Sequence, residues 1–169
     1  MLFNFLFALN EEGTISLEIT GFGIRHGTPG NLDLGSVEVS GSIQELSGQF
    51  QDFFWIEDLL GRMTGHYTTV QCNGLYGPSN SLITGIYLKA GNIVPQLILG
   101  LSGNVSVQNS LSDYVSIYKP IVYIYKTTQA SNIGLANKYG DIPWIKVVIP
   151  PYSSAGNYNG TIVFSLYSN

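Results

Sequence analysis

The sequence predicts an all-β fold, an antiparallel β-sandwich of Ig-like or jelly-roll type with about nine or ten short strands. Three observations lead there. Apolar and polar residues alternate with period two along much of the chain, and helical periodicity is confined to one ambiguous stretch at 53–60. Twenty glycines and 7 prolines punctuate the runs, as turns and strand ends require. At 169 residues and 44% apolar content, the chain has the length and composition for one domain with a substantial core.

The elements follow in order. Leu2–Leu9 is strongly apolar, with Leu2, Phe3, Phe5, Leu6, Phe7 and Leu9 broken only by Asn4 and Ala8. No basic residue precedes it, and it is short for a secretion signal. It reads as a signal remnant, a core strand or an apolar strand offered to another subunit, and the sequence leaves the three open. Glu11, Glu12 and Gly13 form a hinge that separates segment 1–13 from a single domain over 14–169. Ile15, Leu17 and Ile19 alternate with Ser16 and Glu18. Arg25–Gly30 reads as a loop with His26 in a solvent-facing turn. Val37 and Val39 alternate with Glu38 and Ser40.

The aromatic run Phe50–Ile56 precedes a strand at Tyr67–Cys72. Later strands are expected at Ser81–Leu88, Gln96–Leu101, Val105–Gln108 and Tyr114–Tyr125. Trp144–Ile149 and Thr161–Tyr167 flank a Pro, Ser, Gly and Asn stretch and read as a closing hairpin. In the last strand Ile162, Phe164 and Leu166 share one face, and Val163, Ser165 and Tyr167 the other. Pro120, Pro143, Pro150 and Pro151 belong at strand ends, edges or loops, because proline donates nothing to a ladder.

Charged residues make up only 11% of the chain, less than half of the roughly 25% usual in soluble domains. A surface of Ser, Thr, Asn, Gln, Gly and Tyr suits an extracellular or assembled protein. The net charge of −4 argues against binding nucleic acid, which needs clustered Lys and Arg. Residues 1–88 carry nine acids against Arg25 and Arg62, a net −7, whereas residues 89–169 carry five Lys against Asp113 and Asp141, a net +3. Either the halves interleave in the fold, or complementary ends favour head-to-tail contact between copies. No 18-residue apolar run is present, so no membrane span is expected.

Chemistry-bearing sets are few. Cys72 stands alone and reads as a small apolar residue near a strand end. His66 and Cys72, six residues apart on one strand, would be about 20 Å from each other, too far for a nucleophile and its base. Gly21-Phe22-Gly23 lacks the Lys and the helix of a phosphate loop. Asp52, Glu57 and Asp58 offer oxygen donors near one turn without the spacing of a calcium loop, so a capped turn is preferred. No catalytic residue, cofactor or metal is assigned, and the chain is not expected to be an enzyme. Eight tyrosines from Tyr114 to Tyr167 read as cross-strand pairs, with stacking on sugars as the alternative. The sequons at Asn104 and Asn159 predict surface positions.

Two stretches carry a resemblance. Phe54–Val70 runs a strand into Asp58, then a Gly-containing turn with Gly61 and Gly65, then Tyr67 opening the next strand. Asp58 can hold that corner by bonding nearby amides, and the glycines can supply left-handed torsions. Pro150–Leu166, with Gly156, Tyr158 and Gly160 at its centre, forms the second stretch. Together they resemble bacterial cell-surface sandwiches of the WxL type and, more distantly, TasA and camelysin fibre subunits. No Trp-x-Leu pair exists, since Trp55 precedes Ile56-Glu57 and Trp144 precedes Ile145-Lys146. The resemblance therefore implies an exported structural domain rather than a peptidoglycan-binding one.

The expected function is a fibre or pilus subunit that polymerises with copies of itself by β-strand addition, with Leu2–Leu9 as donor strand. The alternatives are an adhesion module for glycan or cell-wall polymer, and a jelly-roll virion or phage protein.

Overall fold

The computed structural model describes residues 23–58, 65–99, 107–126 and 137–168. Runs of β-branched and aromatic residues between glycines and prolines form fourteen short strands among them. The first seven are β1 (Ile24–Gly27), β2 (Gln44–Gln49), β3 (Phe54–Asp58), β4 (His66–Cys72), β5 (Leu75–Tyr76), β6 (Leu82–Ile83) and β7 (Gly85–Lys89). The rest are β8 (Gln96–Leu99), β9 (Val107–Asn109), β10 (Val115–Ser116), β11 (Ile121–Lys126), β12 (Asn137–Asp141), β13 (Trp144–Ile149) and β14 (Ile162–Ser168).

Three four-stranded sheets have the orders β1-β3-β12-β8, β10-β7-β13-β2 and β14-β4-β11-β9, and β5 pairs with β6. Every pairing is antiparallel. The first two sheets continue into one another. The β3–β12 ladder ends at Phe54 and Asp141, and the β2–β13 ladder begins at Gln49 and Trp144. Between them Phe50 donates its amide to the Pro143 carbonyl at 3.1 Å. Pro143 thus sits at a bend, where its missing N–H costs no ladder bond.

The third sheet packs face to face on the first. The Phe54 ring stacks on Phe164 at 4.6 Å and tilts against Tyr123 at 5.5 Å. The alternation of β4 shows why the layers close: His66, Thr68, Val70 and Cys72 are buried, and Tyr67, Thr69 and Gln71 are half-buried on the other face. One contiguous core runs from Phe54, Ile56 and Val70 to Ile86, Leu88, Ile145 and Val147.

Asp141 anchors the bend. Fully buried, it accepts bonds from the Gly91 and Asn92 amides (2.9 Å each), Asn109 Nδ2 (2.9 Å) and the Tyr123 hydroxyl (2.7 Å). One carboxylate thereby ties together the β7–β8 link, β9, β11 and β12. Gly91 must be glycine for this approach, because a Cβ there would meet the Ile142 carbonyl oxygen at 2.3 Å. Burial and the neighbouring Asp141 charge push the Tyr123 phenol well above its ordinary pKa.

The all-β expectation holds, with more and shorter strands than expected. Pro120 separates β10 from β11, and Thr84 separates β6 from β7. The ambiguous stretch 53–60 contains strand β3. Val37 and Val39 are exposed and belong to no strand. His26 is not in a solvent-facing turn: it lies in β1 opposite Ile56, with its ring 5.9 Å from Phe54. The closing hairpin is also corrected. β13 pairs with β2 and β7, while β14 pairs with β4 in another sheet. The Pro150–Thr161 connection is long enough to cross between layers, and the central position of β13 leaves it no free side. Leu2–Leu9 and Ile15–Ile19 lie outside the described residues.

Candidate functional site

Edge strands decide where a sandwich can recruit another chain, because their outer amides and carbonyls lack ladder partners. Among the described residues the edges are β1 and β8, β10 and β2, and β14 and β9. β8 is a four-residue edge, and three of its residues are large and apolar. All four of its residues are exposed, and Leu97, Ile98 and Leu99 keep 45%, 40% and 66% of their surface open to solvent. Ile93 and Val94, just before it, are exposed at 67% and 65%. Five large apolar side chains are thus exposed within seven residues, on both faces of the edge. Gln96–Leu99 carries no charged side chain of its own, the usual protection of an exposed edge.

Beside this edge, on the outer face of the first sheet, Thr28, Asp52, Phe53, Trp55, Ile98 and Lys138 line an open cleft of about 360 Å³. Gly27 lies opposite Trp55 in the β1–β3 ladder, and the indole covers it so closely that a Cβ there would fall 2.4 Å from the ring. Lys138 Nζ stands 3.9 Å from the indole centre, a cation–π contact. Glu57, on the same face, accepts from Arg25 Nε at 2.5 Å.

A second feature lies between the layers. At one end of the first sheet Asp58 and Asn137 stand opposite each other, and in the third sheet His66 and Lys126 do the same. All four side chains point into the sandwich. Lys126 Nζ donates to Asp58 Oδ2 at 2.6 Å, with both side chains more than nine-tenths buried. His66 Nε2 shares a hydrogen bond with the Tyr139 hydroxyl, and the two rings lie nearly parallel. Burial holds the His66 pKa down at about 4, with the Lys126 charge helping and the Asp58 charge opposing, so the imidazole is neutral at neutral pH. Burial and the Asp58 charge push the Tyr139 phenol up. His66 Nδ1 and Asn137 Oδ1 are buried without a hydrogen-bond partner among the described residues.

Asp58 ends β3, the strand position at which the sequence places it, and its carboxylate takes the Lys126 ammonium. Gly65 is buried immediately before β4, and Gly61 lies outside the described residues. The oxygen donors Glu57 and Asp58 do not converge on an ion, since adjacent strand positions send one outward and the other inward. Cys72 ends β4, buried, with burial raising its thiol pKa. Asn159 is exposed. Tyr125, Tyr67 and Tyr167 stand in register across β11, β4 and β14, the last two stacked at 5.0 Å, so these tyrosines form the expected cross-strand row. The acids and lysines of the two halves also meet within the fold, as Asp58–Lys126 and Glu45–Lys146.

Sequence reasoning missed Lys126, Asn137, Tyr139 and Asp141. The one available signal was Lys126 at the end of Ile121–Lys126, where an apolar run leaves a charge needing a partner. No family model, curated protein or solved structure matches the chain.

Proposed function

We propose that the chain is a non-enzymatic structural subunit of an extracellular fibre that assembles with copies of itself by β-strand addition at β8. The single observation that carries this is the uncharged, apolar edge Gln96–Leu99, each of whose residues is exposed and which has no second strand partner among the described residues. An added strand would satisfy its outward amides and carbonyls and cover Leu97 or Ile98 on alternate faces. Leu2–Leu9 of a second copy is the donor suited to it: eight residues, Phe on alternate positions, and almost no polar atoms to desolvate. The low charge of the whole chain agrees with a surface built to be covered.

Negative-stain electron microscopy of full-length protein tests the reading. Filaments are expected from the natural chain. They should be absent after deletion of residues 1–12 and after Leu97→Lys combined with Leu99→Lys, with monomeric folding retained in both. Filaments that persist in the double lysine variant show that β8 is not the acceptor. Filaments that persist in the deletion variant remove Leu2–Leu9 as donor.

A second reading, a module for glycan or cell-wall polymer, draws support from the half-exposed Tyr67–Tyr167 stack. Saturable binding of monomer to a glycan array or to isolated peptidoglycan would favour it over assembly.

A further inference from the structure

We infer that Lys126 and Asn137 are set to form an intramolecular amide bond, with Asp58 as the acid–base group between them. The proposal stands whether or not copies assemble.

The parts are on neighbouring strands of facing layers. Asp58 and Asn137 are directly opposite in the β3–β12 ladder, which places their Cβ atoms about 5 Å apart. Lys126 reaches over from the other layer and holds its Nζ 2.6 Å from Asp58 Oδ2. The amine touches the carboxyl, the carboxamide is that carboxyl's cross-strand neighbour, and all three side chains are shielded from water. Asn137 is 2% exposed, and its Oδ1 has no hydrogen-bond partner among the described residues. A buried carbonyl oxygen without a donor is costly in a static structure. It is also the atom on which negative charge develops when an amine attacks the carboxamide carbon.

The steps balance without any added reagent. Asp58 takes a proton from the Lys126 ammonium across their contact, leaving a neutral amine in a desolvated site. The Nζ lone pair attacks Cγ of Asn137, and the Asp58 carboxylic acid donates its hydrogen bond to Oδ1 as the tetrahedral centre forms. Asp58 then carries a proton from the attacking nitrogen to Nδ2. The Cγ–Nδ2 bond breaks, and ammonia leaves with the carbonyl restored. One C–N bond forms and one breaks, nothing is oxidised or reduced, and an ammonium plus a carboxamide become a secondary amide plus ammonium. Holding the reactants together makes so slow an exchange accessible. The product joins β11 to β12, and so one layer of the sandwich to the other.

Intact mass spectrometry of the denatured full-length chain tests this. The expected mass is below that of the sequence by one ammonia, and a protease digest should give one branched peptide joining Lys126 to Asn137. Lys126→Arg and Asn137→Ala should each show the uncrosslinked mass. A natural chain that weighs what its sequence weighs overturns the proposal, and because that readout uses no variant, misfolded mutants cannot obscure it. Loss of water with Lys126 joined to Asp58 also overturns it, by removing Asn137 as acceptor. Ammonia can leave from Asn73-Gly74 or Asn159-Gly160 on succinimide formation. A loss traced there, with Lys126 and Asn137 in separate peptides, counts against the proposal as well.

Discussion

At the residue scale, Asp141 has more attached to it than any other buried side chain described here. Its carboxylate is the shared acceptor for two loop amides, a side-chain amide and a phenol. Removing it leaves four donors in a dry corner, and each unsatisfied group costs about 1–3 kcal/mol. Asp141→Ala should therefore destabilise the fold by about 4 kcal/mol or more, the range reserved for broken buried networks. Urea denaturation followed by tyrosine fluorescence measures it, and a loss within about 1 kcal/mol would mean that water replaces the carboxylate there. Nothing in the sequence singles this residue out. Asp141-Ile142-Pro143 reads as a turn, and its donors lie 18 to 50 positions away. The position of Asp58 at the end of a strand was legible, because strand and turn signals are local. Its partner Lys126 was not, because that ion pair spans 68 positions and two layers.

At the element scale, alternation was the reliable guide where both faces of a strand differ. β14 places Phe164 in the core and Val163 and Tyr167 in the open, as its period-two pattern requires. The face assignment is testable by truncation. Phe164→Ala removes a ring that stacks on Phe54 and should cost about 3–5 kcal/mol, while Val163→Ala on the outer face should stay within about 0.5 kcal/mol. Thermal unfolding of the two variants gives the comparison, and equal losses would place β14 one residue out of register. Pairing was less legible than the strands themselves. Trp144–Ile149 and Thr161–Tyr167 look like a hairpin because both are apolar and a Gly and Pro stretch lies between them. Yet β13 already has β2 on one side and β7 on the other, and that follows from long-range packing no local pattern reports. The apolar edge at β8 was visible as a strand, whereas its exposure follows from its place at the end of the sheet.

At the scale of the whole molecule, groups buried in the state they hold at neutral pH set the limits of stability. His66 is held at about 4 in the folded chain, against 6.5 when it is free. Below pH 6.5 the unfolded chain takes up a proton that the folded chain refuses until about pH 4. Stability therefore falls as the solution is acidified through that window, by about 3 kcal/mol in all. Tyr123 and Tyr139 act at the other limit. Burial raises both phenols, so above about pH 10 only the unfolded chain loses their protons, and stability falls again as pH rises. Stability measured by urea titration across pH 4 to 7 should rise with pH in the natural chain. In His66→Gln, which keeps a polar group beside Tyr139 but cannot titrate, the slope should be shallower by up to one proton. The difference between the two slopes reports the imidazole and its coupling to the charges beside it. Identical slopes would mean that His66 takes up its proton in the folded chain as readily as in the unfolded one. In that case the buried cluster would carry a second cation beside Lys126, and Asp58 would have to balance two charges rather than one.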